Sequence, residues 1–384
     1  MSSSTSPTTS PNSSPGAPSG PEVTAPVRPR PAPHTPWRRV VGAGVAVAAL
    51  VGVLVLAFSW PAVTAAPRDL PVAVAGPPRA VGGVEAGLDA ARPGAVELVP
   101  VADREAAVAA VEARDVSGAI VLGEAPEVLT ASAASSVTHQ LLTEAAEQVE
   151  AGLAQQAAGG GDPGPAPTVT VTDVVPLSPD DPRGAGLTAA QFPLVLGGVV
   201  GGVAVSLLVV GALRRVLAVA VYAAVGGTVL VAVLQSWFGV LQGDWCADAG
   251  AAALVLAAVA APITSLAALV GRAGIALGVV TMVLVGNPIS GVTVPPELLP
   301  WHWGEIGQWF PPGAGATMLR DLSYFPAADA GPSWLALSVW AAGGVLLTLV
   351  GHRRTAGGVE PDTGTARDER PERAPRHAEA ALHG

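Results

Sequence analysis

The 384-residue sequence contains no lysine: all 20 of its basic residues are arginine. A Walker A loop needs a lysine on the nucleotide phosphates, so this chain alone cannot build an ordinary ATPase site. Basic residues are also outnumbered by 30 acidic ones, giving a net charge of −10. Duplex binding needs a clustered basic face, so nucleic acid is excluded as a partner. The single cysteine, Cys246, has no second thiol with which to form an intramolecular disulfide or a multi-cysteine metal site. Neither HExxH nor a GxSxG nucleophile turn occurs, and His139 and His302 stand isolated, as surface histidines do. With no catalytic constellation, cofactor or metal set in view, the chain is not expected to be an enzyme.

What is abundant is apolar. Hydrophobic residues make up 50% of the chain and the mean hydropathy is +0.48. Residues 40–59, 192–213, 216–234, 251–270, 273–285 and 334–350 form six apolar runs, none of which contains a charged residue. A charge at mid-bilayer costs about 2.5–3.5 kcal/mol on insertion scales, and backbone groups in lipid must be satisfied within a helix. The runs therefore predict six transmembrane helices, in an α-helical polytopic protein of the plasma membrane. Run 40–59 is longer than a signal-peptide core and starts far from Met1, so it reads as an uncleaved anchor. Arg38 and Arg39, Arg214 and Arg215, Arg272, and Arg353 and Arg354 all fall on one side of this topology. The positive-inside bias then puts both termini in the cytoplasm.

Residues 61–190 are soluble in character and on this topology extracytoplasmic. Strands are expected at 70–75, 96–101, 118–122 and 168–175, and helices at 81–91, 104–113 and 136–157, a pattern that predicts a small mixed or parallel α/β domain. It carries 17 acidic residues against six arginines, which reads as a solubilising surface. Asp180 and Asp181 lack a ligand framework and read as solvated. Residues 1–36 and 355–384 read as disordered cytoplasmic tails, and 159–167 as a Gly/Pro linker. In the membrane domain, 192–350, the run 273–285 is too short: about 14 residues at 1.5 Å give roughly 21 Å against about 30 Å of hydrocarbon. The following segment, 286–326, must complete that depth. Short helices at 300–310 and 314–325 predict a hairpin at, or dipping back into, the outer face.

One leading span, an external α/β domain and a membrane half ending in GNP…PELLP…GQWFPPGAGATMLRDLSYF resemble the permease subunits of type 2 ABC exporters, in particular the branch of phage infection protein-like membrane proteins. The resemblance covers residues 40–350. It implies a homodimer or heterodimer, a separate ABC ATPase that supplies ATP, and export of a hydrophobic, lipid-like or drug-like substrate. It also implies a re-entrant outer hairpin near the exit, here marked by Asn287, Pro288, Trp303, Pro312, Gly313 and Arg320. On the cytoplasmic side the family's ATPase-gripping turn shrinks here to residues 213–216, so Arg214 and Arg215 are the candidates for that contact. Read from the residues alone, they are topology anchors.

Gly197, Gly198, Gly201 and Gly202 make two overlapping GxxxG spacings, which let helix backbones approach closely; in a chain with 46 glycines the spacing also arises by chance. No acid lies within the six runs, which disfavours autonomous proton coupling. A second reading of the chain is a non-transporting receptor or envelope assembly factor that binds a partner through the external domain.

Overall fold

The computed structural model describes residues 35–159 and 168–355. The expectations made for residues 1–34, 160–167 and 356–384 lie outside the described residues. Contacts divide the chain into two units after Val51, within the first helix, α1 (Trp37–Thr64). Taken by itself, α1 is apolar and almost wholly exposed along its length.

After α1 the chain builds an α/β layer: β1 (Leu70–Ala75), α2 (Pro78–Ala91), β2 (Val96–Pro100), α3 (Arg104–Glu112), β3 (Ala119–Val121), β4 (Glu127–Thr130), α4 (Ser136–Gly159) and β5 (Thr170–Asp173). The sheet order is β2-β1-β3-β4-β5. β1 lies parallel to both β2 and β3, with Leu70 opposite Val96 and Ala73 opposite Ala119. β4 runs antiparallel to β3, pairing Ile120 with Val128, and β5 is parallel to β4. The sheet is mixed because β3 and β4 are joined by a short loop, whereas the parallel neighbours are joined through helices.

Alternation of side chains along the strands gives the sheet two cores. On one face Leu70, Val72, Val74, Ile120 and Val128 pack under Leu142, Ala146 and Val149 of α4 and Val84 of α2. On the other, Ala73, Ala119 and Leu129 meet Ala107 and Val111 of α3, and this core is completed by Phe325, from far along the chain. Asp103 caps α3, accepting from the Ala106 amide at 2.9 Å.

The remainder is helical: α5 (Ala185–Leu208), α6 (Ala212–Val231, continued in π-helical form to Trp237), α7 (Trp245–Val270), α8 (Arg272–Val279, likewise continued to Gly286), α9 (Trp303–Gln308), α10 (Pro311–Tyr324) and α11 (Gly331–Thr355). Five helices, α1, α5, α6, α7 and α11, are long and apolar enough to cross a membrane, so this is a helical membrane protein. The fifth apolar run, 273–285, forms the 15-residue helix Arg272–Gly286, about 22 Å long at 1.5 Å per residue and so short of the hydrocarbon thickness.

Helix α7 is the hub, packed against α5, α6, α8, α10 and α11, with Ala251, Ala252, Val255, Ala258 and Val259 sealed from solvent. Small residues set how closely its neighbours approach. A Cβ on Gly198 would lie 2.6 Å from Val259 Cβ, and one on Gly202 would lie 3.0 Å from the Ala260 backbone, whereas one on Gly197 would meet nothing nearer than the Tyr222 hydroxyl at 3.5 Å. The overlapping glycine spacings thus serve packing inside the chain. Gly198→Ala is expected to cost about 1–3 kcal/mol by overpacking, whereas Gly197→Ala is expected to be neutral or slightly stabilising, since alanine is the better helix former. Thermal unfolding of the two variants in detergent checks the contrast; equal melting temperatures would refute the seam.

Candidate functional site

Between the α/β layer and the segment 291–333 lies a cleft of about 490 Å³, open on one side. One wall comes from the end of α3 and the start of α4 (Arg114, Asp115, Ser135, Thr138), the other from Gln308, Trp309, Thr317, Arg320 and Asp321. The second wall is held rigidly. Gly304 and Gly307 sit so close to the backbones of Pro296 and Ile289 that a Cβ on either would collide. Gln308 donates to the Ser290 carbonyl at 3.1 Å and accepts from Thr317 Oγ1 at 2.7 Å. Trp340 Nε1 donates to the Trp309 carbonyl at 2.7 Å, tying the hairpin to α11.

A charged pair crosses the cleft. Arg114 donates to Asp321 and lies over the ring of Phe325, 5.3 Å from its centroid. Arg114 follows α3 with φ +61°, a left-handed position where glycine is usual; an arginine there projects its side chain away from the sheet toward the hairpin. Asp321 is 4% exposed, and burial pushes its carboxyl above the ordinary value in spite of the opposing charge of Arg114. Beside it Arg320 is 8% exposed. Its Nε is sealed from solvent with no hydrogen-bond partner among the described residues, while the charges of Asp321 and Glu297 act on the guanidinium from nearby. Burial, and then the charge of Arg114, pull its pKa down to about 10, so it remains a cation at neutral pH.

The other residues singled out from the sequence are scattered around this centre. Pro312 and Gly313 are buried in the first turn of α10, Gly313 against the Gly307 backbone. Asn287 and Pro288 are half-buried where the short helix ends; the Asn287 carbonyl accepts from Ser290 Oγ at 2.7 Å. Trp303 is 36% exposed and meets Trp60 edge-to-face at 6.2 Å. At the far end of the bundle Arg214 is exposed, but Arg215 is engaged: its Nε and Nη2 donate to the Val209 and Ser206 carbonyls at 2.8 and 3.1 Å. That closes the last turn of α5, whose carbonyls would otherwise be orphaned.

Family models, curated proteins and solved structures were compared with this chain, and none matches.

One reading of an acidic residue is corrected. Asp181 is not solvated: at 8% exposure it accepts from the Gly186 and Leu187 amides at 2.8 and 3.1 Å, capping α5. Asp248, which precedes the apolar run 251–270, lies inside α7 at 0% exposure, and among the described residues neither of its carboxylate oxygens has a hydrogen-bond partner. The helix begins six residues before the apolar run does, because Asp244 caps it by accepting from Ala247 at 2.8 Å. A buried acid therefore stands in the first turn of a helix long enough to span, ahead of the apolar run 251–270. The hydroxyls of Ser206, Thr228, Thr264, Ser265 and Thr281 all donate to carbonyls of their own helices. His139 is bonded rather than free, its Nδ1 lying 3.0 Å from Thr130 Oγ1, while the exposed His302 pairs with Glu305.

Proposed function

We propose that this chain is the membrane-embedded permease subunit of an ABC-type exporter in the plasma membrane. In this reading both termini are cytoplasmic and the α/β layer is external, and a homodimer or heterodimer moves a hydrophobic, lipid-like or drug-like substrate outward. The observation that carries it is the short helix Arg272–Gly286 continued by a buried hairpin. Irregular backbone at membrane depth is tolerated where protein or a water-filled path covers it, which suits an exit gate. Arg214 and Arg272 lie in the first turns of α6 and α8, beside the short connections that the positive-inside bias assigns to the cytoplasm. The absence of lysine requires a second chain to bind ATP, with exposed Arg214 rather than engaged Arg215 available to meet it. Purification in mild detergent is expected to recover a Walker-type ATPase, and loss of that ATPase to abolish export; transport that persists without it sinks the reading.

The cleft favours a second reading, a non-transporting receptor or envelope assembly factor, because it joins the α/β layer to the hairpin and is built from both. On that reading the cellular phenotype of deleting this chain is unchanged by deleting the ATPase.

A further inference from the structure

Charge in the cleft is arranged in two depths. At its floor Arg320 is nine-tenths buried, lines the open volume and has a sealed Nε that meets no acceptor among the described residues. The carboxylate next to it in sequence, Asp321, is already taken by Arg114. A guanidinium removed from water without a partner is costly, and an anion delivered to it makes short charge-assisted hydrogen bonds. At the rim stand three exposed carboxylates, Asp115, Glu297 and Asp329. A simple anion is repelled there; a group with a cation trailing its anion is attracted at both depths. The volume suits a small polar group. Trp309, 58% exposed, lines the mouth, and Trp301 is 87% exposed nearby in the chain; tryptophan concentrates at the headgroup level of a bilayer.

We infer that the cleft binds an ethanolamine-phosphate zwitterion, its phosphate on Arg320 and its ammonium among Asp115, Glu297 and Asp329. The same chemistry is offered by the headgroup of phosphatidylethanolamine and by free phosphoethanolamine. The inference rests on the membrane placement of the helices and not on transport, so it is tested without ATP or an ATPase.

Delipidated full-length protein in mild detergent is titrated with short-chain phosphatidylethanolamine, phosphatidylglycerol of the same chain length, and phosphoethanolamine, following tryptophan emission. Saturable binding of phosphatidylethanolamine is expected, with phosphatidylglycerol at least about tenfold weaker, an interval of about 1.4 kcal/mol. Arg320→Gln is expected to weaken binding by a similar factor and Arg320→Lys to recover part of it. Glu297→Gln with Asp329→Asn, both at exposed positions and the second keeping an oxygen for the Gly331 amide, is expected to erase the preference over phosphatidylglycerol; this pair carries the test if Arg320→Gln does not fold. Phosphoethanolamine binding as tightly as the short-chain lipid assigns a soluble ligand, and much weaker binding assigns the lipid; either supports the site. Equal affinity for the two lipids in the unaltered protein, no saturable binding, or an Arg320→Gln variant that folds and binds unchanged overturns it.

Discussion

Phe325→Ala is expected to loosen the α/β layer while leaving the spanning helices folded. The ring is 1% exposed and sits among Ala73, Ala107, Val111, Ala119 and Leu129, mostly small side chains that cannot close over the space it leaves. Large-to-small changes of this kind cost about 3–5 kcal/mol, and here the Arg114 contact with the ring goes as well. Because Phe325 belongs to the segment after α10, the loss falls on the docking of layer to hairpin. The chain supplies its own reporters. Without lysine, trypsin can cut only at arginine, and Arg92, Arg104 and Arg114 lie in the layer, while no tryptophan occurs between Trp60 and Trp237. Cleavage at those arginines in detergent is expected to quicken by about a hundredfold, following the population of the opened layer, with the emission of Trp309 in the cleft wall reporting the same opening. Cleavage at the original rate would show that the layer stands without the ring.

The long helices were legible because lipid exposure and hydrophobicity coincide along them. Their ends were not, because hydropathy marks where apolar side chains begin and hydrogen bonding marks where a helix begins. Helix α5 starts at Ala185 rather than 192, beneath the Asp181 cap and with Pro193 accommodated inside. Helix α7 starts at Trp245 and encloses Asp248. Among the strands, β4 was missed: it is four residues long, opens on Glu127 and follows Pro126, so neither alternation nor length sets it apart from a loop. The helices expected at 300–310 and 314–325 stand at Trp303–Gln308 and Pro311–Tyr324, but the burial of α10 could not be read from Pro, Gly and Ala, which carry no apolar period. It follows from Gly315, where a Cβ would lie 2.7 Å from a Val255 methyl of α7.

At the site, Arg320 was visible as a charge in an apolar hairpin, and the sealing of its Nε was not. The pair that organises the cleft joins residues 207 positions apart, a separation that periodicity cannot bridge. Its one local signal was Arg114 itself, just past the end of an amphipathic helix in a position that glycine commonly fills. Asp248 was hidden by the misplaced helix start, and Arg215 by the absence of any sequence sign that it folds back on the α5 terminus.

Arg114→Ala is expected to have the other large effect, and pH separates its causes. It strands the Asp321 carboxylate, whose side chain is 5% exposed, and breaking a buried pair from one side costs about 3–5 kcal/mol. In the intact protein burial already raises the Asp321 pKa above the ordinary 3.8, with Arg114 opposing that rise. A carboxyl raised on folding destabilises the fold when ionised. Its penalty is fully present above the native pKa, shrinks as pH falls through that pKa and is gone below the unfolded value. Removing Arg114 drives the native pKa higher and deepens the penalty at neutral pH. The deficit of Arg114→Ala, measured by circular-dichroism melts of the full chain in detergent, is thus expected to be greatest near neutrality and to narrow toward pH 4, and adding Asp321→Asn is expected to restore most of it. A deficit constant across that range, untouched by the second change, would assign the loss to packing of the Arg114 stem on Phe325 and not to the charge it neutralises.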